Sequence, residues 1–438
     1  MTTKDKATVE VPDSLDLGIE TLGPCRIPSP MKEIQFVQDN ERILFHSNLK
    51  AYDCRSGMLN DPPCFEMAGP RREIYFDPSK LKCGIVTCGG ICPGLNDVIR
   101  ATVLSLSHHY GVQGVFGFRY GFEGLIPRYR HTPMELTPRT VAEIQQSGGT
   151  ILGTSRGPQD ISEMVDTLER MNIGILFTIG GDGTLRAARG FSEEIARRRL
   201  KISIVAIPKT IDNDIAYVDQ SFGFETAVAE SRRAIYAAHV EALGARNGIG
   251  LVRLMGRDAG FIAANATLAN SEVNFCLVPE APFSLDAFLK ALQERLIRRQ
   301  HAVIVVAEGA GQDLVGGTGE RDASGNRRLG DVGLFLKEKI LAYFAGAGME
   351  VTLKYIDPSY TIRSTPANAH DSVFCLLLGH NAVHAGMTGR TNMVVGYWNG
   401  EYTHVPIPLA VSRTKQIDPR GRFWSSVLES TGQRIGRV

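Results

Sequence analysis

The sequence predicts an α/β protein with two doubly wound domains, a cleft between them and an N-terminal extension. Three observations support this fold class. The chain has 438 residues, which is long for one domain and comfortable for two. From Lys82 onwards, short apolar segments alternate with helical stretches, and the apolar segments end in turns that contain glycine or proline. This alternation is typical of parallel sheets that are covered by helices on both faces.

The chain divides into four predicted segments. Residues 1–79 carry many prolines and little apolar periodicity, so we interpret them as an extension that wraps or caps the rest. The first domain covers residues 80–221 and is completed by part of residues 364–412. The second domain covers residues 222–363, and residues 413–438 form a C-terminal segment.

The apolar segments give the strand candidates. In the first domain they are residues 83–88, 114–118, 173–179 and 202–207. In the second domain they are residues 248–254, 273–278 and 302–307, with a helix over residues 284–299. This pattern predicts a Rossmann-like fold for both domains. Ligands of open α/β sheets bind beyond the carboxyl ends of the strands, so the loops after these segments are the expected site.

Composition excludes several function classes. A formal net charge of +1 provides no long-range field for nucleic acid or an anionic membrane, so we expect neither as a partner. No run of 18 apolar residues occurs, and the first residues lack the apolar core of a secretory signal. We therefore expect a cytoplasmic protein.

The eight cysteines are scattered singly, which fits a reducing compartment. Cys83, Cys88 and Cys92 lie close together, and a metal site must be considered. Two of them flank an apolar strand candidate, and no further ligand follows at a zinc spacing. Structural cysteines are the favoured interpretation.

Two glycine-rich loops are typical of phosphate binding. Residues 87–96 follow a strand candidate and precede a helix that Asn96 could cap, so free backbone N–H groups would face an anion. Residues 148–158 carry Arg156, a candidate bidentate donor to phosphate. Taken alone, each loop could also be an ordinary turn.

Two further loops carry carboxylates. Residues 180–184 end an apolar strand with Asp182, which could hold magnesium between phosphates. Residues 208–214 carry Asp212 and Asp214, one of which could accept the proton of an attacking hydroxyl. A polar turn is the alternative for each loop taken singly. Four such loops at successive strand ends favour phosphoryl transfer.

The second domain supplies candidates for the other side of a cleft. Arg257 follows a strand and could stabilise charge on the transferring group. Glu308 ends another strand, where a carboxylate suits the hydroxyls of a sugar. Tyr360 and Arg363 are spaced to share a phosphate on one helical turn. None of these signals is specific by itself.

Together these motifs resemble the 6-phosphofructokinase family. The resemblance runs in order from about Gly84 to Gly396 and rests on the segments 89–96, 180–183, 208–214, 255–257 and 360–363. The sequence of residues 89–96 and 355–360 looks most like that of the plant and trypanosomal ATP-dependent branch, whose relatives include pyrophosphate-dependent enzymes.

The resemblance implies roles for the matched positions in a glycolytic, Mg²⁺-dependent kinase. Asp212 would be the base for the 1-hydroxyl of fructose 6-phosphate, with Arg257 and Gly183 as further catalytic residues. ATP would contact Gly90, Arg156, Gly157, Gly181, Asp182, Gly183 and Thr184, with Asp182 as the Mg²⁺ ligand. The sugar phosphate would contact Thr210, Ile211, Asp212, Met255, Gly256, Arg257, Glu308, Lys354, Tyr360 and Arg363. The first domain would then bind nucleotide and the second sugar phosphate.

The identity of the phosphoryl donor depends on two positions. Pyrophosphate users in the family carry an aspartate that repels the rest of a nucleotide, and here that position is Gly183. Lys209 resembles the pyrophosphate users instead. We give Gly183 more weight because its missing side chain removes both a clash and a like charge. ATP is the predicted donor and pyrophosphate the alternative.

The resemblance also bears on assembly. Phosphate ligands shared between subunits in the family imply a homo-oligomer, a dimer or a tetramer. Arg246 is a weak candidate for such a shared ligand, because its spacing from Met255 differs from the family's. A non-catalytic sensor of nucleotide or sugar phosphate is the remaining alternative, and the presence of both Asp182 and Asp212 disfavours it.

Overall fold

The computed structural model describes residues 16–48, 62–316 and 328–435. The strands are β1 (Glu20–Thr21), β2 (Ile27–Pro28), β3 (Arg42–Leu44), β4 (Cys64–Met67), β5 (Glu73–Ile74), β6 (Lys82–Thr87), β7 (Gly114–Phe118), β8 (Met134–Glu135), β9 (Ile175–Gly180), β10 (Ser203–Pro208), β11 (Gly248–Leu254), β12 (Phe275–Leu277), β13 (His301–Ala307), β14 (Thr352–Ile356), β15 (Arg390–Thr391), β16 (Met393–Trp398) and β17 (Glu401–Pro406). The predicted strands are all present, with ends shifted by two residues or fewer.

The α-helices are α1 (Leu95–Leu104), α2 (Ile161–Arg170), α3 (Asp182–Arg197), α4 (Phe224–Leu243), α5 (Phe261–Leu268), α6 (Leu285–Arg299), α7 (Gln312–Val315), α8 (Val332–Gly346), α9 (Ser359–Ser364), α10 (Ala369–Met387), α11 (Ile407–Ala410) and α12 (Arg422–Thr431). A π-helical turn, Ser105–His109, continues α1, and short 3₁₀ turns lie at Gly121–Leu125, Pro127–Tyr129 and Ile144–Gln146. Every helix of the described residues is too short or too polar to span a bilayer.

A nine-stranded sheet, in the order β3-β4-β17-β16-β10-β9-β6-β7-β8, forms the larger half of the molecule. Its central strands β16, β10, β9, β6 and β7 are parallel, and the outer strands are antiparallel. Alternate residues of β9 face opposite cores, Phe177 on one face and Leu176 on the other. Burial on both faces explains why these strands are continuous apolar runs.

The smaller half is a four-stranded parallel sheet, in the order β12-β13-β11-β14. Its two faces are also both buried, with Val305 in one core and Ile304 in the other. The structure therefore confirms the predicted α/β class with parallel sheets. The predicted domain boundaries at residues 80, 222, 364 and 413 stay a prediction.

The described part of the N-terminal extension is tied to the larger half. β1 pairs with β15, and β3 and β4 add to the edge of the large sheet beyond β17. A largely buried ion pair reinforces this attachment, because Arg390 of the larger half contacts Glu66 of the extension at 2.5 Å.

The topology places a crevice beside two of the predicted loops. β6 lies between β7, which follows it in the chain, and β9, which comes later. The connections from β6 and β9 leave the sheet on opposite faces, with Val98 of α1 in one core and Leu185 of α3 in the other. Such a switch point opens a crevice at the carboxyl ends of the strands. The chain crosses to the small sheet through α4 and returns between α9 and α10.

Candidate active site

The loop after β6 begins the site. Gly94 precedes α1 with φ 96°, and a Cβ there would lie 2.6 Å from the Cys375 sulfur, so glycine is required. The interpretation of Asn96 as the cap of this helix was wrong, because α1 already begins at Leu95. Asn96 instead donates to the Ser147 carbonyl at 2.9 Å and accepts from the Ile151 N–H at 2.9 Å. It therefore fixes the neighbouring glycine-rich loop.

That second loop, residues 148–158, packs on the end of β6. Thr87 Oγ1 donates to the Gly153 carbonyl at 2.8 Å, and the Gly89 N–H donates to the Ser155 carbonyl at 3.2 Å. Arg156 follows on the exposed side. A Cβ placed on Gly90 would lie 3.6 Å from Nη2 of Arg156 and 4.0 Å from Nη1 of Arg363. Two predicted phosphate-binding arginines, one from each half of the molecule, thus meet at the Gly90 backbone.

The loop after β9 is short, because α3 begins at once. Asp182 is the first residue of α3, and its side chain is 59% exposed and paired with Arg186 at 2.8 Å. Gly183 is also exposed, and no atom lies within 4 Å of a Cβ built there. Thr184 is buried against the Gly180 backbone, so its main chain is the part left to face a ligand.

The loop after β10 is held by its own side chains. Thr210 Oγ1 donates to Asp214 at 2.6 Å, and Ser221 Oγ donates to the Thr210 carbonyl at 2.5 Å. Lys209 is buried and donates to the Gly90 carbonyl at 2.7 Å, which joins this loop to the one after β6. Ile211 packs against the cores of both sheets, so the loop lies at the seam between them.

Asp212 faces this seam. Its Oδ2 accepts from the Arg257 N–H at 3.4 Å, and its Oδ1 is enclosed without a hydrogen-bond partner among the described residues. Burial raises the pKa of Asp212 well above its usual value, and the charges of Asp214 and Glu308 add to the effect, while Arg257 opposes it. A carboxylate in this setting binds a proton readily, which suits a base.

The loop after β11 brings Arg257 to the same place. Gly256 has φ 129°, and a Cβ there would lie 2.6 Å from the Ala259 carbonyl, so the turn requires glycine. The side chain of Met255 is only 5% exposed and lies in the core, so its main chain alone can contact a ligand.

Glu308 and α9 form the far wall. Glu308 follows β13 and pairs with Arg253 at 3.1 Å. On α9, the Arg363 guanidinium lies 5.0 Å from the centre of the Tyr360 ring, and Tyr360 is 82% exposed. Nε of Arg363 is buried and unpartnered among the described residues. These positions leave a cationic group facing the crevice.

The structure does not bring Lys354 to this group. Lys354 lies in the middle of β14, opposite Gly250 of β11, and its amine is 3.9 Å from Glu241 near the end of α4. Arg246 follows the end of α4 and precedes β11, so it too lies towards the amino edge of the small sheet. A role for either residue in ligand binding stays a prediction.

A separate cavity of about 370 Å³ lies at the opposite, amino edge of the large sheet. Its walls include Phe76, Lys80, Glu169 and Lys201, and none of the predicted site residues lines it.

Sequence reasoning missed one residue that organises the site, Arg253, and gave two others a different role. It interpreted Asn96 as a cap, and it took Lys209 as a marker of donor type that could also serve the phosphates of ATP. A lone arginine near the end of an apolar strand was the available signal for Arg253, since a charge there requires a partner.

Brought together, these groups can bind two anionic ligands on either side of a base. The large sheet offers backbone N–H groups and an exposed carboxylate, the small sheet offers arginines and a carboxylate, and Asp212 lies between them. The fold and this crevice define a class, the two-domain α/β enzymes that transfer a phosphoryl group. Within that class the chain belongs to the phosphofructokinase family, whose model matches residues 82–386.

Curated relatives match almost the whole chain. The chain is 47% identical to a protein of Borreliella burgdorferi named ATP-dependent 6-phosphofructokinase, over 97% of this chain and 98% of that one. It is 49% identical to a Trypanosoma cruzi protein of the same name, over 84% and 77%. Arabidopsis thaliana relatives match as well, so the resemblance to the plant and trypanosomal branch is confirmed.

Solved structures agree on the fold. The crystal structure of a pyrophosphate-dependent phosphofructokinase from Marinobacter aquaeolei superposes with a TM-score of 0.66 over 81% of this chain and 93% of that one. The identity is 18%, so this likeness supports the fold alone.

Proposed function

We propose that this chain is an ATP-dependent 6-phosphofructokinase, which transfers the γ-phosphoryl group of ATP to the 1-hydroxyl of fructose 6-phosphate. The observation that carries the proposal is the placement of Asp212, an enclosed carboxylate at the seam between two sheets whose edges each suit a phosphorylated ligand. The relatives at 47 and 49% identity carry this name.

Each side of the crevice has its part in the reaction. Asp212 accepts the proton of the sugar hydroxyl as the phosphorus is attacked, and its raised pKa makes it a stronger base than an exposed aspartate. Arg257 stabilises charge on the phosphoryl group in transit. Tyr360 and Arg363 hold the 6-phosphate, and Glu308 binds sugar hydroxyls.

Nucleotide binding falls to the large sheet. Gly90, Gly157 and the segment 181–184 present main chain to the phosphates, and Arg156 pairs with them. The missing side chain at Gly183 leaves room for the nucleoside side of ATP. Lys209, held at the Gly90 carbonyl, lies where it can serve the phosphates of either donor.

The residues present fit Mg²⁺. Asp182 is exposed at the carboxyl end of β9, and magnesium is usually held by one or two carboxylates together with substrate phosphates. Nε of Arg186 donates to Oδ2 of Asp182 at 2.8 Å, and the carboxylate has a second oxygen that could face the ion. When bound, Mg²⁺ would neutralise charge that develops on the phosphates.

A coupled assay for fructose 1,6-bisphosphate with ATP or with pyrophosphate as the donor tests the proposal. We expect turnover with ATP and Mg²⁺ and little with pyrophosphate. Lys209 keeps the pyrophosphate-dependent reaction as the second candidate, and activity with pyrophosphate alone would establish it. Absence of turnover with both donors, despite binding of ATP, would instead indicate a sensor.

A homo-oligomer, either a dimer or a tetramer, is part of the proposal. Apolar side chains are exposed along α4 and α10, where a monomer would leave them in water: Tyr236, Val240, Leu243, Val373, Leu376 and Leu377. Light scattering of the pure protein measures the mass directly, and a monomer at micromolar concentration would refute this part.

We also propose a cytoplasmic location. The seven cysteines among the described residues are free thiols, which fits a reducing compartment. Cell fractionation with an antibody to the chain would test the location, and recovery in a membrane or extracellular fraction would contradict it.

A further inference from the structure

Arg253 occupies an unusual position in the small sheet. It is the penultimate residue of β11, between Val252 and Leu254, which both lie in an apolar core. Its side chain is 17% exposed. A largely buried guanidinium is stable only with partners, so its contacts indicate its role.

Those partners come from the ends of both neighbouring strands. β11 lies between β13 and β14. Nη2 of Arg253 pairs with Glu308, which follows β13, at 3.1 Å. Nη1 pairs with Asp357, which follows β14. Nε lies 3.9 Å from Asp331, the residue that caps α8. One planar group therefore bonds to two segments that are far apart in the sequence, and it faces a third across a distance too long for a hydrogen bond.

Asp357 in turn fixes the start of α9. Its Oδ1 accepts from the Ser359 N–H at 3.0 Å and from Ser359 Oγ at 2.5 Å. α9 has only six residues, too few to hold its place by helical hydrogen bonds alone. The position of Tyr360 and Arg363 thus depends on how Asp357 is held.

We propose that Arg253 is a positioning residue for sugar-phosphate recognition, because its guanidinium sets Glu308 and α9 at a fixed separation. Arg253 itself does not touch the substrate. The inference rests on the proposed function, since Glu308, Tyr360 and Arg363 are the groups assigned there to fructose 6-phosphate.

A second consequence is electrostatic. Asp331, Asp357 and Glu308 would bring three negative charges to a site that must accept a phosphate dianion. Arg253 offsets one of these charges at the place where they meet. Burial acts to lower the pKa of Arg253, but the charges of Asp357, Glu308 and Asp331 together outweigh it, so the pKa is raised. It remains protonated under all ordinary conditions.

The test replaces Arg253 itself and, in a second variant, its partner Asp357. Arg253→Gln removes the charge and the forked geometry, and we expect the KM for fructose 6-phosphate to rise about tenfold or more. The KM for ATP should change by less than about twofold, because the groups around Asp182 are not held by Arg253, and kcat should fall by a smaller factor than the KM for fructose 6-phosphate rises, because Asp212 itself does not contact Arg253. Arg253→Lys should give an intermediate KM, since a lysine cannot bridge two carboxylates in one plane.

Asp357→Asn is the second variant. An asparagine oxygen can still accept from Ser359, so the start of α9 is kept while the charge pair with Arg253 is lost. We expect the KM for fructose 6-phosphate to rise by a smaller factor than in Arg253→Gln. In the double variant the KM should rise by less than the product of the two single factors, because both changes remove the same ion pair. This variant also decides the matter if Arg253→Gln fails to fold.

Arg295→Gln is the matched control. Arg295 is a partly buried arginine of the same half, on α6, and it donates to the His301 carbonyl at 3.3 Å at the amino edge of the sheet. The Arg295→Gln variant should leave every kinetic constant unchanged.

The proposal fails if Arg253→Gln and Asp357→Asn leave the KM for fructose 6-phosphate unchanged, or if they raise the KM values of both substrates together. An inactive wild-type chain would refute the proposed function instead, and the two failures are therefore distinct.

Discussion

The two sheets present ligand-binding edges of different construction. The edge of the large sheet is mostly main chain, with Gly90, Gly181 and Gly183 where side chains would otherwise stand, and the carboxylate that follows β9, Asp182, is exposed. The edge of the small sheet is built from charged side chains that are paired with each other, with Arg253 at the centre. The first edge accommodates a polyphosphate by leaving room, and the second recognises a sugar phosphate by holding charges in place. Asp212 lies where the two meet.

The largest expected effect comes from that meeting point. Asp212→Asn removes the base and keeps the shape, so we expect kcat to fall about a thousandfold. Binding of fructose 6-phosphate and of ATP, measured separately by calorimetry, should persist because neither edge is altered. A kcat within tenfold of wild type would show that Asp212 is not the base.

Gly183→Asp should impair only the binding of ATP at the edge of the large sheet. The new carboxylate would face the phosphates of ATP, and we expect kcat/KM for ATP to fall about a hundredfold through repulsion of like charges. Gly183→Ala is the matched control: nothing lies within 4 Å of its Cβ and alanine favours a helix, so near wild-type kinetics are expected. Equal effects of the two variants would refute the charge argument.

Asp214→Asn tests the setting of Asp212 through the pH dependence of kcat/KM. The pKa of Asp212 is raised chiefly by burial and further by the charge of Asp214, with Glu308 adding to it and Arg257 opposing it. Asp212 acts as the carboxylate, so activity is present above its pKa and is lost as the pH falls through it. Removal of the Asp214 charge lowers that pKa, and the acidic limb of kcat/KM should move to lower pH. An acidic limb that stays in place or moves upward would contradict this account. Lys209 also faces this loop and is unchanged in the variant.

The smallest expected effect tests how the main-chain edge is held. Asn96→Ala removes both bonds to the loop of residues 148–158, and we expect the KM for ATP to rise about threefold. Asn96→Asp keeps the acceptor for the Ile151 N–H, but it buries a charge and sets a carboxylate oxygen against the Ser147 carbonyl, so its effect should be at least as large. If the KM for fructose 6-phosphate changed instead, the two edges would not be independent.

Much of the fold could be predicted from the sequence because both sheets are buried on both faces. Strands such as β9 and β13 are then apolar runs that end in glycine or a charged residue, and their positions are readable. The loops of Asp182 and Asp212 follow from the same reasoning, because carboxyl ends of parallel strands share one edge.

The contacts that organise the edges could not be predicted. The partners of Arg253 lie 55 and 104 residues further along the chain, so no local pattern identifies them. Asn96 was misread because capping is a local signal, whereas its real bonds reach 51 and 55 residues away. The strand register puts Lys354 opposite Gly250, and a role for Lys354 in ligand binding stays a prediction.

The position of β16 has a consequence for synthesis of the chain. β16 pairs with β10 in the middle of the large sheet, although the entire small sheet lies between the two in sequence. A growing polypeptide must therefore reach residue 398 before β10 gains its second neighbour. Until then an apolar strand has an open hydrogen-bonding edge, which is a hazard for aggregation. Folding of the larger half is thus coupled to completion of nearly the whole protein, and truncation before residue 393 would leave the edge of β10 open.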